Sequence, residues 1–406
     1  MQKLELLAPA GDLECLETAL HCGADAVYLG GPQLQLRSDA VGFSMETLAR
    51  AVEIVHRTGR RLYVTVNAFA KEGELPALPD YARALEALGV DAVIAADLGV
   101  IAELRRAAPG LPVHVSTQAN CCNSAAARVF HELGASRIVL AREMTLPEIS
   151  ALRAGTPPTL ELEAFVHGAM CMAYSGRCML SAYMTGRSGN RGACAQPCRW
   201  HWTLMEESRP GEYFPVYEDG RGMTLLSSRD LCAVGFLDRL IAAGITSFKI
   251  EGRMKTPYYV GTVTNVYRRA LDALARGEMP DTAALMAELR TVSHRDFSRG
   301  FYFGEIPMEP AAGDGYRQDC VFAGVVRESS GGRIIFQQRN RVRTGDRLEV
   351  VSPGREAREF PLGILRGPDG AETEDARLPA ALYEADCPLD VSPGDLLRLR
   401  RTLHRE

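Results

Sequence analysis

The first 250 residues repeat one phrase: a short apolar run rich in β-branched residues, a turn, then a stretch with apolar residues at helical spacing. The runs 4–7, 26–29, 62–66, 92–95, 113–116, 137–140, 160–166 and 247–250 are predicted strands. Between most of them lie amphipathic stretches such as 45–55, 98–106 and 125–133. Strands alternating with helices make a parallel sheet, and eight such units predict a closed (β/α)8 barrel of the TIM type. A doubly wound open sheet is the other architecture this alternation permits. No GxGxxG follows the first strand to support dinucleotide binding there.

Each predicted strand hands over to small or polar residues. Ala8-Pro9-Ala10-Gly11-Asp12 follows the first, Gly30-Gly31 the second, Asn67 the third, Asp97 the fourth, and Gln118 and Asn120 the fifth. Arg142 and Glu143 follow the sixth, His167 the seventh, and Glu251 and Arg253 the eighth. In a barrel these endings share one rim, where active sites of the fold are built. Singly, each reads equally well as a helix cap or turn residue. The concentration of charge after the last three strands marks that side of the rim as the candidate site.

The repeat breaks after the seventh strand, where an insertion of about 168–223 delays the eighth. The barrel domain is expected to span 1–308. A Pro-, Gly- and Ala-rich linker follows at 309–315, and then a small β-barrel at 316–406 built from short strands between Gly, Pro and Asp turns. The tail carries a basic run with Arg339, Arg341 and Arg343, which reads as an RNA contact or as a solvated strand edge. The chain as a whole is acidic, with 46 Lys and Arg against 51 Asp and Glu, so nucleic acid would have to be held by a local patch. It contains no run of about 18 apolar residues, which excludes a membrane-spanning helix. Its first residues read as a strand rather than a signal peptide, so a cytoplasmic protein is expected. Forty-two of the basic residues are arginine, and two of the only four lysines, Lys249 and Lys255, stand in SFKIEGRMK. An arginine cannot replace a compact ammonium at a tight site, which makes these two lysines functional candidates.

Eleven cysteines in a chain expected to stay reduced are not a disulfide framework. Five of them, Cys171, Cys178, Cys194, Cys198 and Cys232, fall between 171 and 232. The pairs CMAYSGRC and CAQPC suit two chemistries. A zinc site takes four thiolates but typically leaves only about two to four residues within each pair. An iron–sulfur cluster takes four and accepts wider spacing, which the first pair favours. Tyr174, Arg177, Arg187, Arg191, Arg199, Trp200, His201 and Trp202 accompany the cysteines. Arginines among aromatics suit anions or nucleobases.

The stretch FVHGAMCMAYSGRCMLSAYMTGRSGNRGACAQPCRW, with RPGEY, SSRDL and SFKIEGRMK after it, resembles the peptidase U-32 (collagenase-like protease) family. The resemblance runs from LLAPAG to GFYFG and, more loosely, through the tail. It implies a TIM barrel with an inserted cluster-binding segment. The length, the CAQPCRW form and the tail are most similar to the branch of oxygen-independent RNA hydroxylases that makes 5-hydroxyuridine at the tRNA wobble position. That branch implies a 4Fe–4S cluster and prephenate as oxygen donor. The implied ligands are Cys171, Cys178, Cys194 and Cys198, with Cys232 the alternative fourth. Hydroxylation of ribosomal RNA or of a quinone precursor, and peptide hydrolysis, are the other readings. Neither HExxH nor GxSxG is present to support hydrolysis.

A dicarboxylate donor needs two cationic anchors. Lys249, Arg253 and Lys255 at the eighth strand are expected to supply one, and Arg177 and Arg142 the other. Glu251 and Glu163 are expected to orient these cations or move a proton, with His167 a candidate base. Tyr174, Trp200, Gln118 and Asn120 are candidates to hold the base, with Trp202 beside them. The sequence leaves open whether a partner subunit is needed.

Overall fold

A computed structural model of the chain describes residues 4–36, 42–171, 173–200, 217–219, 222–224, 229–305 and 316–400. His201, Trp202, the linker 309–315 and much of the insertion after Trp200 lie outside the described residues. By internal contacts the chain divides into two compact units, neither continuous in sequence. The first comprises 1–16, 24–255 and 295–316, and the second 17–23, 256–294 and 317–406.

The first unit is a closed parallel barrel. Strands β1 (Glu5–Pro9), β2 (Ala26–Gly30), β3 (Arg61–Val66), β4 (Ala92–Ala95), β5 (Val113–Val115), β6 (Ala135–Val139) and β7 (Glu161–Ala169) pair in sequence order. The eighth barrel strand, Ser247–Ile250, closes the ring by pairing in parallel with both β1 and β7. The strands are short and almost wholly buried, as expected where helices cover one face and the barrel interior the other. Polar residues at the strand ends start the following helices: Asp97 accepts from the backbone N–H groups of Gly99 and Val100, and Thr145 and Glu148 form a reciprocal capping box.

β7 overshoots the barrel. Its last residues pair with an antiparallel strand, Asp230–Cys232, which pairs in turn with Phe297–Ser298. Asp230 there holds Arg295 through two guanidinium hydrogen bonds of 2.9 and 2.7 Å, both residues buried.

In the second unit, strands from 320 to 400 form an eight-stranded antiparallel sheet around one core that includes Phe336, Leu348, Phe360, Tyr383 and Leu397. The small β-barrel expected of the tail is this antiparallel sheet domain. Its strands include Leu382–Asp386, Arg358–Pro361 and Leu365–Arg366. Helix Pro257–Ala275 belongs to this unit. Tyr258 stacks on Phe322 at 5.5 Å, and Asn265 Nδ2 donates to the Ser352 and Arg355 carbonyls. No described helix is long and apolar enough to cross a membrane.

Candidate active site at the mouth of the barrel

The barrel interior carries charge where branched apolar side chains usually pack. Arg137 on β6 lies across the axis, almost wholly buried. It donates to Glu5 Oε1 at 2.5 Å, Glu163 Oε2 at 3.0 Å and Glu161 Oε2 at 2.8 Å. Ser247 Oγ bridges Glu5 and Glu163 at 2.9 and 3.2 Å, and Tyr63 donates to Glu5 Oε2 at 2.7 Å. Burial alone would push the Glu5 carboxyl up, but the charge and hydrogen bonds of Arg137, with those of Tyr63 and Ser247, hold it below its ordinary value. The other oxygen of Glu163 accepts from Lys249 Nζ at 2.8 Å, so each oxygen of this fully buried carboxylate serves one cation. The Lys249 ammonium lies 4.4 Å from the centre of the Tyr28 ring and 5.4 Å from that of Phe165. Burial draws the lysine below its ordinary pKa against the pull of Glu163.

Lys249 is the floor of a small cavity at the C-terminal ends of the strands. Arg142, Glu251 and Arg253 line its charged side, and Thr65, Asn67, Ser116 and Gln118 its neutral polar side. Arg142 is fixed on three sides. Nη1 donates to the Ala169 carbonyl at 2.9 Å and Nη2 to Glu251 at 3.2 Å, and the guanidinium lies 3.9 Å above the Phe165 ring. Arg253 reaches back across the end of β2, donating to Gln35 and Thr65 at 3.1 Å each and to the Leu36 carbonyl. It can do so only because position 30 is glycine: a Cβ there would stand 2.5 Å from Arg253 Nη1 and 1.6 Å from Gln35 Oε1. Arg142, Lys249 and Arg253 thus converge on one cavity, with Glu251 paired to Arg142 and Glu163 to Lys249.

The cysteine-bearing insertion is pinned to this rim. Glu143, just after β6, accepts the Ser175 N–H at 2.8 Å, and Arg191 forms a bidentate pair with Glu74 at 2.9 and 3.0 Å. Gly176 has φ +74°, and a Cβ there would stand 2.2 Å from the carbonyl oxygen of Gln118. The turn around Ser175 thus lies against a residue that lines the cavity. Gln118 Oε1 and Asn120 Oδ1 are buried without a hydrogen-bond partner among the described residues. Asn120 occupies the left-handed conformation with φ +53°.

The structure therefore brings together Lys249, Glu163, Glu251, Arg253, Arg142 and Gln118 from the residues singled out by sequence. Others stand apart. The cavity lining does not include His167, whose ring lies 5.5 Å from that of Phe297. Lys255 sits 4.7 Å over the Tyr316 ring, close enough to Asp230 to lower its pKa, and does not line the cavity. Tyr174, Arg177 and Trp200 are exposed on the insertion. The sequence reading missed Arg137, Glu5 and Tyr63, which look like ordinary strand residues; it marked Glu143 by its position after β6 but assigned it no role.

Among the cysteines, Cys171 is exposed and Cys178, Cys194 and Cys198 are half-buried, all on the insertion. Cys232 is buried on its strand, directly across the ladder from His167. The Gln196 N–H points at Cys194 Sγ at 3.4 Å, a donor of the kind that stabilises a thiolate. In kind and number the four insertion thiols fit the ligand set of an iron–sulfur cluster. Among the described residues no three His, Cys, Asp or Glu side chains are grouped so as to hold a metal ion.

Residues 11–310 match the model of peptidase family U32, and 318–398 match the family's C-terminal domain. The chain belongs to peptidase family U32. Similar U32-type relatives carry different names. The chain is 36% identical to tRNA hydroxylation protein P1 of Bacillus subtilis, over 98% of this chain and 95% of that protein. It is 39% identical to the 23S rRNA 5-hydroxycytidine C2501 synthase of Escherichia coli, over 68% of this chain and 41% of that one. It is 34% identical to a collagenase of Porphyromonas gingivalis, over 74% of each.

Proposed function

We propose that this U32 member is an RNA hydroxylase that forms 5-hydroxyuridine in tRNA, taking the oxygen from a small dicarboxylate, prephenate, without O2. The observation that carries the reading is the cation-lined cavity at the mouth of the barrel, with the cysteine insertion pinned to its lip. The near full-length similarity to a tRNA hydroxylation protein supports the substrate class, and the similarity to an rRNA hydroxycytidine synthase supports the reaction type.

In this reading Arg142 and Arg253 receive the two carboxylates, each presented by fixed partners and so requiring little reorganisation on binding. Lys249, held by Glu163, supplies a third positive charge from the floor. Glu251, paired to Arg142, keeps that guanidinium aimed into the cavity. Asn67, Ser116 and Gln118 offer donors and acceptors to a base edge. Cys171, Cys178, Cys194 and Cys198 would hold a 4Fe–4S cluster, which supplies one-electron transfer when bound.

Peptide hydrolysis, the reading the family name and the collagenase relative carry, finds no cysteine nucleophile in the cavity lining and no histidine there to activate Ser116 or Thr65. Cys232 and His167 face each other across a ladder, but both are buried and neither lines the cavity. The deciding experiment is mass spectrometry of tRNA nucleosides from cells lacking the gene. Loss of 5-hydroxyuridine derivatives, restored by the wild-type gene, is the expected result. Intact tRNA modification with altered ribosomal RNA or quinone moves the assignment within the hydroxylases. Gelatin cleavage by protein free of iron replaces it with hydrolysis. Anaerobic preparation should give brown protein containing iron and sulfide; zinc alone would defeat the cluster.

A further inference from the structure

From Ala164 to Met205 the chain contains no aspartate or glutamate, although acids outnumber basic residues overall. The same 42 residues carry Arg177, Arg187, Arg191 and Arg199. Within the described part of this stretch lie large apolar side chains that a soluble surface normally covers. Tyr183 is 86% exposed, Met179 70%, Tyr174 60% and Trp200 40%. Arg177 and Arg187 are exposed among them, and Arg191 forms the clamp to Glu74. Aromatic rings interleaved with arginines, in a segment stripped of negative charge, are the surface on which unpaired nucleotides stack while their phosphates meet guanidinium groups. The patch is tied to the cavity through the turn at Gly176, which abuts Gln118.

We infer that the exposed face of the cysteine insertion, centred on Tyr183 and Arg187 with Tyr174 and Arg177, is the docking surface for a single-stranded RNA loop. The inference rests on the proposed RNA substrate and adds where that RNA is gripped. Sequence preference on such a surface is weak because every base offers a π-face, so the face supplies affinity and the amide-lined cavity supplies the choice of base.

The test uses the full-length protein, prepared without oxygen, and an unmodified anticodon stem-loop transcript with uridine at the first anticodon position. Tyr183→Ala is expected to weaken binding about tenfold, with Tyr183→Trp restoring it, since one stacked base is lost and regained. Arg187→Ala is expected to reduce the slope of log affinity against log salt by about 0.7, with Arg187→Lys keeping the wild-type slope. Thermal melting and iron content, expected at wild-type values, separate these effects from unfolding. Unchanged affinity and slope in both variants would overturn the docking surface, and so would an equal preference for a blunt duplex of the same length. If the variants bind as wild type does while wild-type protein still forms 5-hydroxyuridine, the docking surface falls and the hydroxylase reading stands. If wild-type protein neither binds the stem-loop nor modifies it, the hydroxylase reading falls too.

Discussion

Arg137 is an arginine with almost no exit to solvent, and its removal would leave Glu5 and Glu163 facing each other inside the barrel. Breaking a buried ion pair by deleting one partner typically costs about 3–5 kcal/mol, because the remaining charge keeps its desolvation penalty. Arg137→Met is expected to destabilise by that amount in chemical denaturation, with Glu163→Gln added to it recovering part of the loss. A second residue in the same layer sets an acid limit. His114 packs edge-on against Tyr63 at 4.7 Å, and its Nδ1 has no hydrogen-bond partner among the described residues. Burial, then the charges of Arg137, Lys249 and Arg61, drive it well below the ordinary value of 6.5. The folded state keeps His114 neutral while the unfolded chain takes up a proton below pH 6.5. Stability is therefore complete above that pH and lost as the pH falls, at a slope approaching about 1.4 kcal/mol per pH unit. The buried carboxylates Glu5 and Asp230, both held below their ordinary values, add their own losses only in the more acidic range. Melting temperatures should fall between pH 6.5 and 5 for wild type and stay flatter for His114→Gln. Equal slopes would assign the sensitivity to another group.

At the scale of elements, the barrel strands are legible because each is a short apolar run closed by a small or polar residue, a pattern that buried parallel strands impose. Asp230–Cys232 is not legible. Three residues carry no periodicity, and the strand exists because β7 outruns the barrel and leaves an edge for it to pair with. The site divides the same way. Arg142, Glu251 and Arg253 can be found from their places after strands, whereas Arg137 stands within a strand and acquires meaning only from Glu5 and Glu163, 132 and 26 residues away. His167 and Lys255 show the converse. Both follow barrel strands, yet the overshoot of β7 carries His167 to Phe297, and Lys255 turns to Tyr316. The insertion is held as an element by a few contacts, which makes its seating testable. Gly176→Ala would place a Cβ against the Gln118 carbonyl in a left-handed conformation. It is expected to leave the melting temperature of the barrel within a few degrees and to speed tryptic cleavage at Arg177 and Arg187 several-fold. Unchanged cleavage would mean the turn is held by the Glu143–Ser175 contacts alone.

At the scale of the whole molecule, the family models divide the chain between 310 and 318, but the contacts do not. Helices Pro257–Ala275 and Thr282–Leu289 precede that point in sequence and belong to the antiparallel unit. Arg398, buried in the last strand, donates to Glu288 through Nη1 and Nη2 and to Thr291 Oγ1 at 2.9 Å. The Gly354 N–H donates to Asn265 Oδ1 at 2.8 Å, and a Cβ on Gly261 would meet Leu396 at 2.6 Å. From Tyr258 to Tyr267 every residue of the longer helix is buried, so it has no solvent face to present without its sheet. Cutting the chain after Tyr316 would strip one side of that helix and leave Glu288 and Asn265 without these partners. A fragment of residues 1–316 is therefore expected to melt well below the intact chain and to bind the hydrophobic dye ANS, despite keeping all eight barrel strands. Arg398→Met in the intact chain should reproduce a milder form of the defect, because it removes the arginine from Glu288 and leaves Glu349 with Arg400 alone while the sheet still covers the helix. A 1–316 fragment that melts cooperatively at the temperature of the intact chain would show that those two helices do not depend on the antiparallel sheet.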